Sequence, residues 1–341
     1  MLSSFSSIII TASAFLCLAF FRTNAQRVAL PSGLDNGRYE YSGLAVYGNR
    51  GLLLLPQHAD KIKDTNVSQI QALSLRKTNP AKHQTFARSD VHAIKINDPR
   101  HLLDVKNSEG FEAITVVGHD VYLSMETTAE TEDSCFLFKG ELKKEAITIR
   151  QRIGLPHLKN CSGQPLGNAG YESLTYLPKE KKLLAIYEYE GEANKPAGFK
   201  VDPKFQKPAT PVYLDKPLCF RITDIQATKT GGYFGVNVCY EGTMKDDNYL
   251  ACHCSSDNRD VNAVMEGKMR SFSQIIAFTP VNDSIYHWEH FRNIDASMPV
   301  NWEGFVMVGD RFLLINDTNN AQNKKNPNSS TYFISIPAKK D

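Results

Sequence analysis

Five short segments hold the side chains of this sequence best suited to do chemistry. They are Tyr41-Ser42-Gly43-Leu44, Phe111-Glu112-Ala113-Ile114, Tyr171-Glu172-Ser173-Leu174, Ile222-Thr223-Asp224-Ile225 and Trp302-Glu303-Gly304-Phe305. Each puts a large apolar residue, an oxygen-bearing side chain, a variable residue and a second apolar residue in a row. If equivalent positions converge, Ser42, Glu112, Glu172, Thr223 and Glu303 form a ring of oxygen atoms. Carboxylates crowded in this way repel one another, and at neutral pH they need raised pKa values or a cation. A hard divalent ion with about six to eight oxygen ligands resolves the repulsion, and Ca2+ tolerates an irregular cage better than Mg2+ does. Oxygen-only ligation argues against zinc and copper. The blander reading is a set of polar residues lining a water-filled channel. It is disfavoured because glutamate stands at Glu112, Glu172 and Glu303, where strand propensity opposes it. Asp224 takes the place of Thr223 if the fourth copy is shifted by one residue.

A second set follows each segment: Gln57, Glu126, Glu188, Asn237 and Asp317. These are read as partners of the first ring, as substrate contacts, or as solvated turn residues. Within the first ring, Glu112, Glu172 and Glu303 are the candidates to hold the ion or to act as a base beside it. No G-x-S-x-G elbow or phosphate loop with Gly-Lys-Ser/Thr is present. His287-Trp288-Glu289-His290 lacks the spacing of a helical zinc motif and reads as surface. Cys252-His253-Cys254 lacks a second ligand pair.

Repeats of this kind are stacked copies of one supersecondary unit. Hydrophobic alternation has period two, as in Val91-His92-Ala93-Ile94-Lys95-Ile96, and no window of about twelve residues is convincingly helical. After each segment come a second strand-like run and two weaker ones. The last copy is one strand short, and Arg27-Val28-Ala29-Leu30 is free to supply it. The expectation is an all-β propeller of five four-stranded blades closed by an N-terminal strand, with six blades the alternative. Residues 26–341 then form one domain, with a polar insertion at about 244–271.

Residues 1–25 read as a signal peptide: a short apolar run from Ile8 to Phe21, then Thr23-Asn24-Ala25 as a cleavage site. No later segment is long and apolar enough to span a bilayer, so a secreted or periplasmic protein is expected. Lys and Arg number 39 against 37 Asp and Glu, a balance that offers nothing to nucleic acid or an anionic membrane. Of the seven cysteines, six lie beyond the leader, an even number that favours disulfides in an exported chain. Cys239 with Cys252 or Cys254 is the preferred local pair. Asn66, Asn160, Asn282, Asn316 and Asn328 stand in glycosylation sequons.

The order of these segments resembles the phytase-like propeller family, labelled for esterase-like activity of phytase. The match runs over roughly residues 38–337 and is most specific from Asn301 through Asn319. The resemblance implies a secreted or periplasmic propeller acting on a small-molecule phosphoester. The Ser42, Glu112, Glu172, Thr223 and Glu303 series is also similar to the central calcium ring of calcium-activated apyrases, which implies a calcium-dependent nucleotidase as the alternative. A non-catalytic binding propeller with a structural calcium ion is the reading from outside enzymology. Paired carboxylates would also suit a glycosidase, but the Asp-rich strand starts of that class are absent.

Overall fold

The computed structural model describes residues 25–35, 39–48, 51–59, 68–75, 91–129, 134–159, 163, 169–188, 195–219, 221–228, 232–240, 259–269, 271–294, 301–316 and 331–338. The strands, in chain order, fall into five antiparallel meanders and one lone N-terminal strand. The lone strand is β1 (Gln26–Ala29). The first meander is β2 (Tyr41–Tyr47), β3 (Gly51–Pro56), β4 (Gln69–Ser74) and β5 (Val91–Asn97). The second is β6 (Ser108–Val117), β7 (Asp120–Thr127), β8 (Ser134–Lys143) and β9 (Ala146–Pro156). The third is β10 (Ser173–Leu177), β11 (Lys182–Ile186), β12 (Gly198–Val201) and β13 (Thr210–Leu214). The fourth is β14 (Arg221–Ala227), β15 (Tyr233–Tyr240), β16 (Ser271–Pro280) and β17 (Ile285–Asn293). The last is β18 (Trp302–Val308), β19 (Arg311–Asn316) and β20 (Tyr332–Pro337), to which β1 adds antiparallel through Val28 opposite Phe333.

Burial explains why these sequences make these strands. Gly51-Leu52-Leu53-Leu54-Leu55-Pro56 is buried on both faces because a second strand is sandwiched between neighbouring meanders. Val91–Asn97 buries only Ile94 and Ile96, the pattern of a strand with one wet face. The first strands pack in order, β2 on β6, β6 on β10, β10 on β14, β14 on β18, and β18 back on β2. That closed ring makes the fold propeller-type and brings the five sequence copies to one axis.

Hydrogen bonding groups the strands differently from the expected separate sheets. There are two eight-stranded sheets and one of four strands. The joints are parallel ladders between outer strands, Ile96 opposite Ile147 and Leu214 opposite Tyr286. An outer strand has a free edge, and pairing it with the next meander's outer strand covers both edges.

A short helix, α1 (Arg259–Met265), stands in the segment read as an insertion. Its Val261 and Val264 pack on Cys219 and Phe272, so this part of the insertion is anchored to the domain. Cys135 is a buried free thiol, so the expected pairing of cysteines does not extend to it. Cys252 and Cys254 lie outside the described residues. Asn316 is fully buried and its side-chain oxygen accepts the Tyr332 N–H. That sequon is closed to glycosylation in the folded protein, whereas Asn282 lies in an exposed turn. Residues 1–24 lie outside the described residues, and no helix among those described is long and apolar enough to cross a membrane.

Candidate functional site

The oxygen-bearing residues occupy one special backbone position. Ser42, Glu112, Thr223 and Glu303 are each the extra residue of a β-bulge between a first strand and its partner. Glu172 immediately precedes β10, at the matching place. A bulge leaves its extra residue out of the ladder and re-aims the side chain, here toward the ring axis. The register therefore assigns Thr223, and not Asp224, to the ring.

The bulges also tie the copies together. In the second to fifth segments the carbonyl of the first apolar residue accepts a hydroxyl from the preceding meander. Ser42 Oγ donates to Phe111 O at 2.6 Å, and Ser124 Oγ donates to Tyr171 O at 2.7 Å. Ser173 Oγ donates to Ile222 O at 3.4 Å, and Thr223 Oγ1 donates to Trp302 O at 2.5 Å. Asp224 adds a further tie, its carboxylate accepting the N–H groups of Ile225 and Phe305, both at 2.7 Å. Ser42 and Thr223 thus commit their protons to the ring and keep only lone pairs for a ligand.

The structure brings five glutamates together at the strand-start end: Glu112, Glu126, Glu172, Glu188 and Glu303, none more than 8% exposed. Their cation is Arg221. Its Nη2 lies 2.6 Å from Glu172 Oε1 and 3.7 Å from Glu303 Oε1, and its Nε lies 2.7 Å from Glu188 Oε2. Gln57 Nε2 donates to Glu112 Oε1 at 3.1 Å. Glu126 Oε1 and Glu172 Oε2 are buried with no hydrogen-bond partner among the described residues.

Burial pushes the carboxyls of Glu112, Glu126 and Glu172 well above the ordinary range, and that of Glu303 upward as well. For Glu112, donation from Gln57 pulls back, while Glu303 and Glu188 push further. For Glu172 and Glu303 the Arg221 charge is the main restraint. Of the two remedies for crowded carboxylates, the cation is seen directly in Arg221, and burial favours the other, protonation.

The second set is only partly a ring. Gln57, Glu126 and Glu188 stand opposite Glu40, Gly110 and Gly170, each the residue just before a segment. Asn237 stands opposite Ile222, one register position away, and Val238 faces Arg221 instead. Its amide turns into the blade, donating to Cys219 O and Arg221 O and accepting from Gln274 Nε2. Asp317 lies outside the described residues.

Of the residues preceding the segments, sequence reasoning singled out only Arg221 as a nearby base, and alternation left its direction open. Read down the copies, that position is Glu40, Gly110, Gly170, Arg221 and Asn301, and this series was the available signal. Gly110 has φ +141°, and a Cβ there would sit 2.6 Å from Gln57 Cγ and 2.8 Å from Gln57 O. Glycine makes room for Gln57 to reach Glu112. Gly110→Ala should cost about 3 kcal/mol, from the forbidden φ and the clash together. Gly118→Ala, where φ is +65° and no atom lies within 4 Å of a built Cβ, should cost about 1 kcal/mol. Denaturant midpoints of the two variants check this, and equal losses would mean that the contact with Gln57 is soft.

At the opposite end of the first strands lies a cavity of about 450 Å3. Val46, Ile114, Val116, Met307 and Val308 wall it, with Thr115, Gln226 and Thr228 as polar members. The two ends of the axis are thus chemically unlike, the one acidic and the other lined by uncharged residues.

The acid end suits a hard cation by its donor chemistry: oxygen ligands, surplus carboxylates and two unpartnered oxygens among the described residues. Among the described residues, no three acidic, histidine or cysteine side chains converge as a ready metal cage.

No protein-family profile matches the chain, and no curated protein matches it. Solved structures do overlap it in shape. A PQQ-bound aldose sugar dehydrogenase from Streptomyces coelicolor aligns at TM-score 0.48 and 10% identity, over 92% of this chain and 99% of its own. A glucose dehydrogenase aligns at TM-score 0.45 and 10% identity, over 93% and 100%. A periplasmic gluconolactonase from Pseudomonas aeruginosa aligns at TM-score 0.41 and 9% identity, over 88% and 86%. At these scores no argument about this chain rests on them.

Proposed function

We propose that the protein is an exported, phytase-like propeller of five blades that binds one Ca2+ at the acid end of its axis and hydrolyses a phosphoester there. The observation that carries this reading is the surplus of buried acid. Five buried glutamates share one end of the axis with a guanidinium that pairs with Glu172, Glu188 and Glu303, and two of the five side chains have an oxygen with no hydrogen-bond partner among the described residues. Glu112, Glu172 and Glu303 would hold the ion, with lone pairs of Ser42 and Thr223 completing the set. Bound calcium would polarise a phosphoryl oxygen and orient water. Arg221 supplies charge-assisted donors for anionic oxygens, which the sequence series alone lacked. A carboxylate of this set that does not ligate the ion would act as the base for that water.

The second reading, a binding propeller with a structural ion, is favoured by the low exposure of the acids. Glu303, the most open, is 8% exposed. A nucleotidase is the same chemistry with a nucleotide as the phosphoester.

Thermal melting in EGTA and in millimolar calcium, followed by hydrolysis of aryl phosphates and nucleotides, tests these readings. Calcium at about a hundredfold over its Kd should stabilise by about 2.7 kcal/mol. A melt shift with turnover supports the enzyme, and a shift without turnover selects the structural ion. An unchanged melt sinks the calcium claim. Glu112→Gln should abolish most of the shift while melting no lower than the wild type in EGTA, because the amide oxygen still accepts from Gln57 and the variant buries no charge there.

A further inference from the structure

We propose that Arg221 is an intramolecular competitor for the cation seat: it holds the seat's carboxylates when no ion is bound and thereby sets how tightly an ion binds. The inference rests on the cation reading above. A single nitrogen of Arg221, Nη2, lies 2.6 Å from Glu172 Oε1 and 3.7 Å from Glu303 Oε1. These are two of the three ring carboxylates, so an ion that binds both shares them with the guanidinium and meets its charge. The side chain is anchored from a second direction by Glu188 Oε2, 2.7 Å from Nε. Glu188 is not a ring residue, so the anchor biases the arginine toward the seat without belonging to it.

The placement in the repeat is specific. Arg221 comes from the fourth copy, whose ring residue Thr223 brings no charge and commits its proton to Trp302 O. Copies two and three have Gly110 and Gly170 at the same register, where a Cβ would already press on Gln57 or Glu126. A long cation fits at this register in the fourth copy, where Val238 stands opposite in place of a polar side chain. A divalent ion entering beside a fixed guanidinium would meet like-charge repulsion, so entry requires the arginine to leave its carboxylates.

The test is calcium titration by calorimetry, with melting in EGTA and in calcium, on the full chain as wild type, Arg221→Met and Arg221→Lys. In Arg221→Met the calcium Kd should fall at least about tenfold, corresponding to about 1.4 kcal/mol. In EGTA that variant should melt roughly 10 °C lower, since the buried acids lose the guanidinium that offsets their charge. Saturating calcium should restore most of the loss. Recovery of folded Arg221→Met only in calcium would give the same support. Arg221→Lys keeps the charge but loses the fork, so its Kd should lie between the other two. Arg221→Met or Arg221→Lys binding calcium no tighter than the wild type overturns the competition and leaves the cation reading intact. The absence of calcium binding in all three proteins overturns both.

Discussion

In EGTA the protein is expected to melt higher at pH 5 than at pH 8, by about 5–10 °C. The groups responsible are Glu112, Glu126, Glu172, Glu303 and Asp224, whose folded pKa values burial raises above the ordinary 4.5 for glutamate and 3.8 for aspartate. Below those ordinary values both folded and unfolded chains are protonated, and the contribution of these groups to stability is complete. As pH rises, the unfolded chain releases its protons first while the folded state retains them, so stability falls until the folded pKa values are passed. A tenfold difference in proton affinity between the folded and unfolded chains is worth about 1.4 kcal/mol per group, and a few kcal/mol suffices for the stated change in melting. The two effects within the cluster oppose each other, since Arg221 favours ionised Glu172 and Glu303. Desolvation is the first cause in each case and decides the sign. Calcium should flatten or reverse the slope, because a bound ion replaces protons on its ligands. Glu112→Gln should make the slope in EGTA shallower. A melt that is level from pH 5 to pH 8 in EGTA would show that the acids are hydrated and the cluster is open to water.

The second large effect is at Trp302. Trp302→Ala should cost about 3–5 kcal/mol, the range for removing a large buried aromatic side chain. The ring is fully buried in a core cluster that draws Val236 and Ile275 from the fourth meander and Phe305 and Ile334 from the last sheet. It meets the Tyr332 ring edge-on at 6.3 Å. The residue also ties the fourth copy to the fifth, because its carbonyl accepts from Thr223 and the next residue is the bulged Glu303. A cavity there loosens both the core and the acid end, so calcium affinity should fall with stability. Trp288 is the control: its ring lies half-exposed on β17 and its N–H donates to Lys216 O at 3.1 Å. Trp288→Ala should cost only about 1 kcal/mol. Equal losses from the two replacements, measured by denaturant unfolding, would place Trp302 outside the cooperative core.

The residues show unequally how far a sequence can be read. Period-two alternation and five recurring segments were visible in the chain, as was the lone strand-like run at residues 27–30, because strand pleat and repeat stacking are local properties. Position along the chain also marked Glu112, Glu172 and Glu303, since three glutamates at matching places in strands are locally unfavourable. Other features depend on what each strand lies beside. Asn237 looks like a member of the second series by spacing, yet its partner is Ile222, and a one-residue difference in register turns the amide into the blade. Arg221 could face either way by alternation. Its direction is set by the bulge at Thr223 and the pairing with Val238, which make it the cation of three carboxylates. The parallel joints between β5 and β9 and between β13 and β17 arise from edges that meet only after the meanders stack around the axis. The sequence by itself thus determined which residues could carry charge to one place. The tertiary structure alone decided which of them share it, because bulges and register are properties of strand pairs.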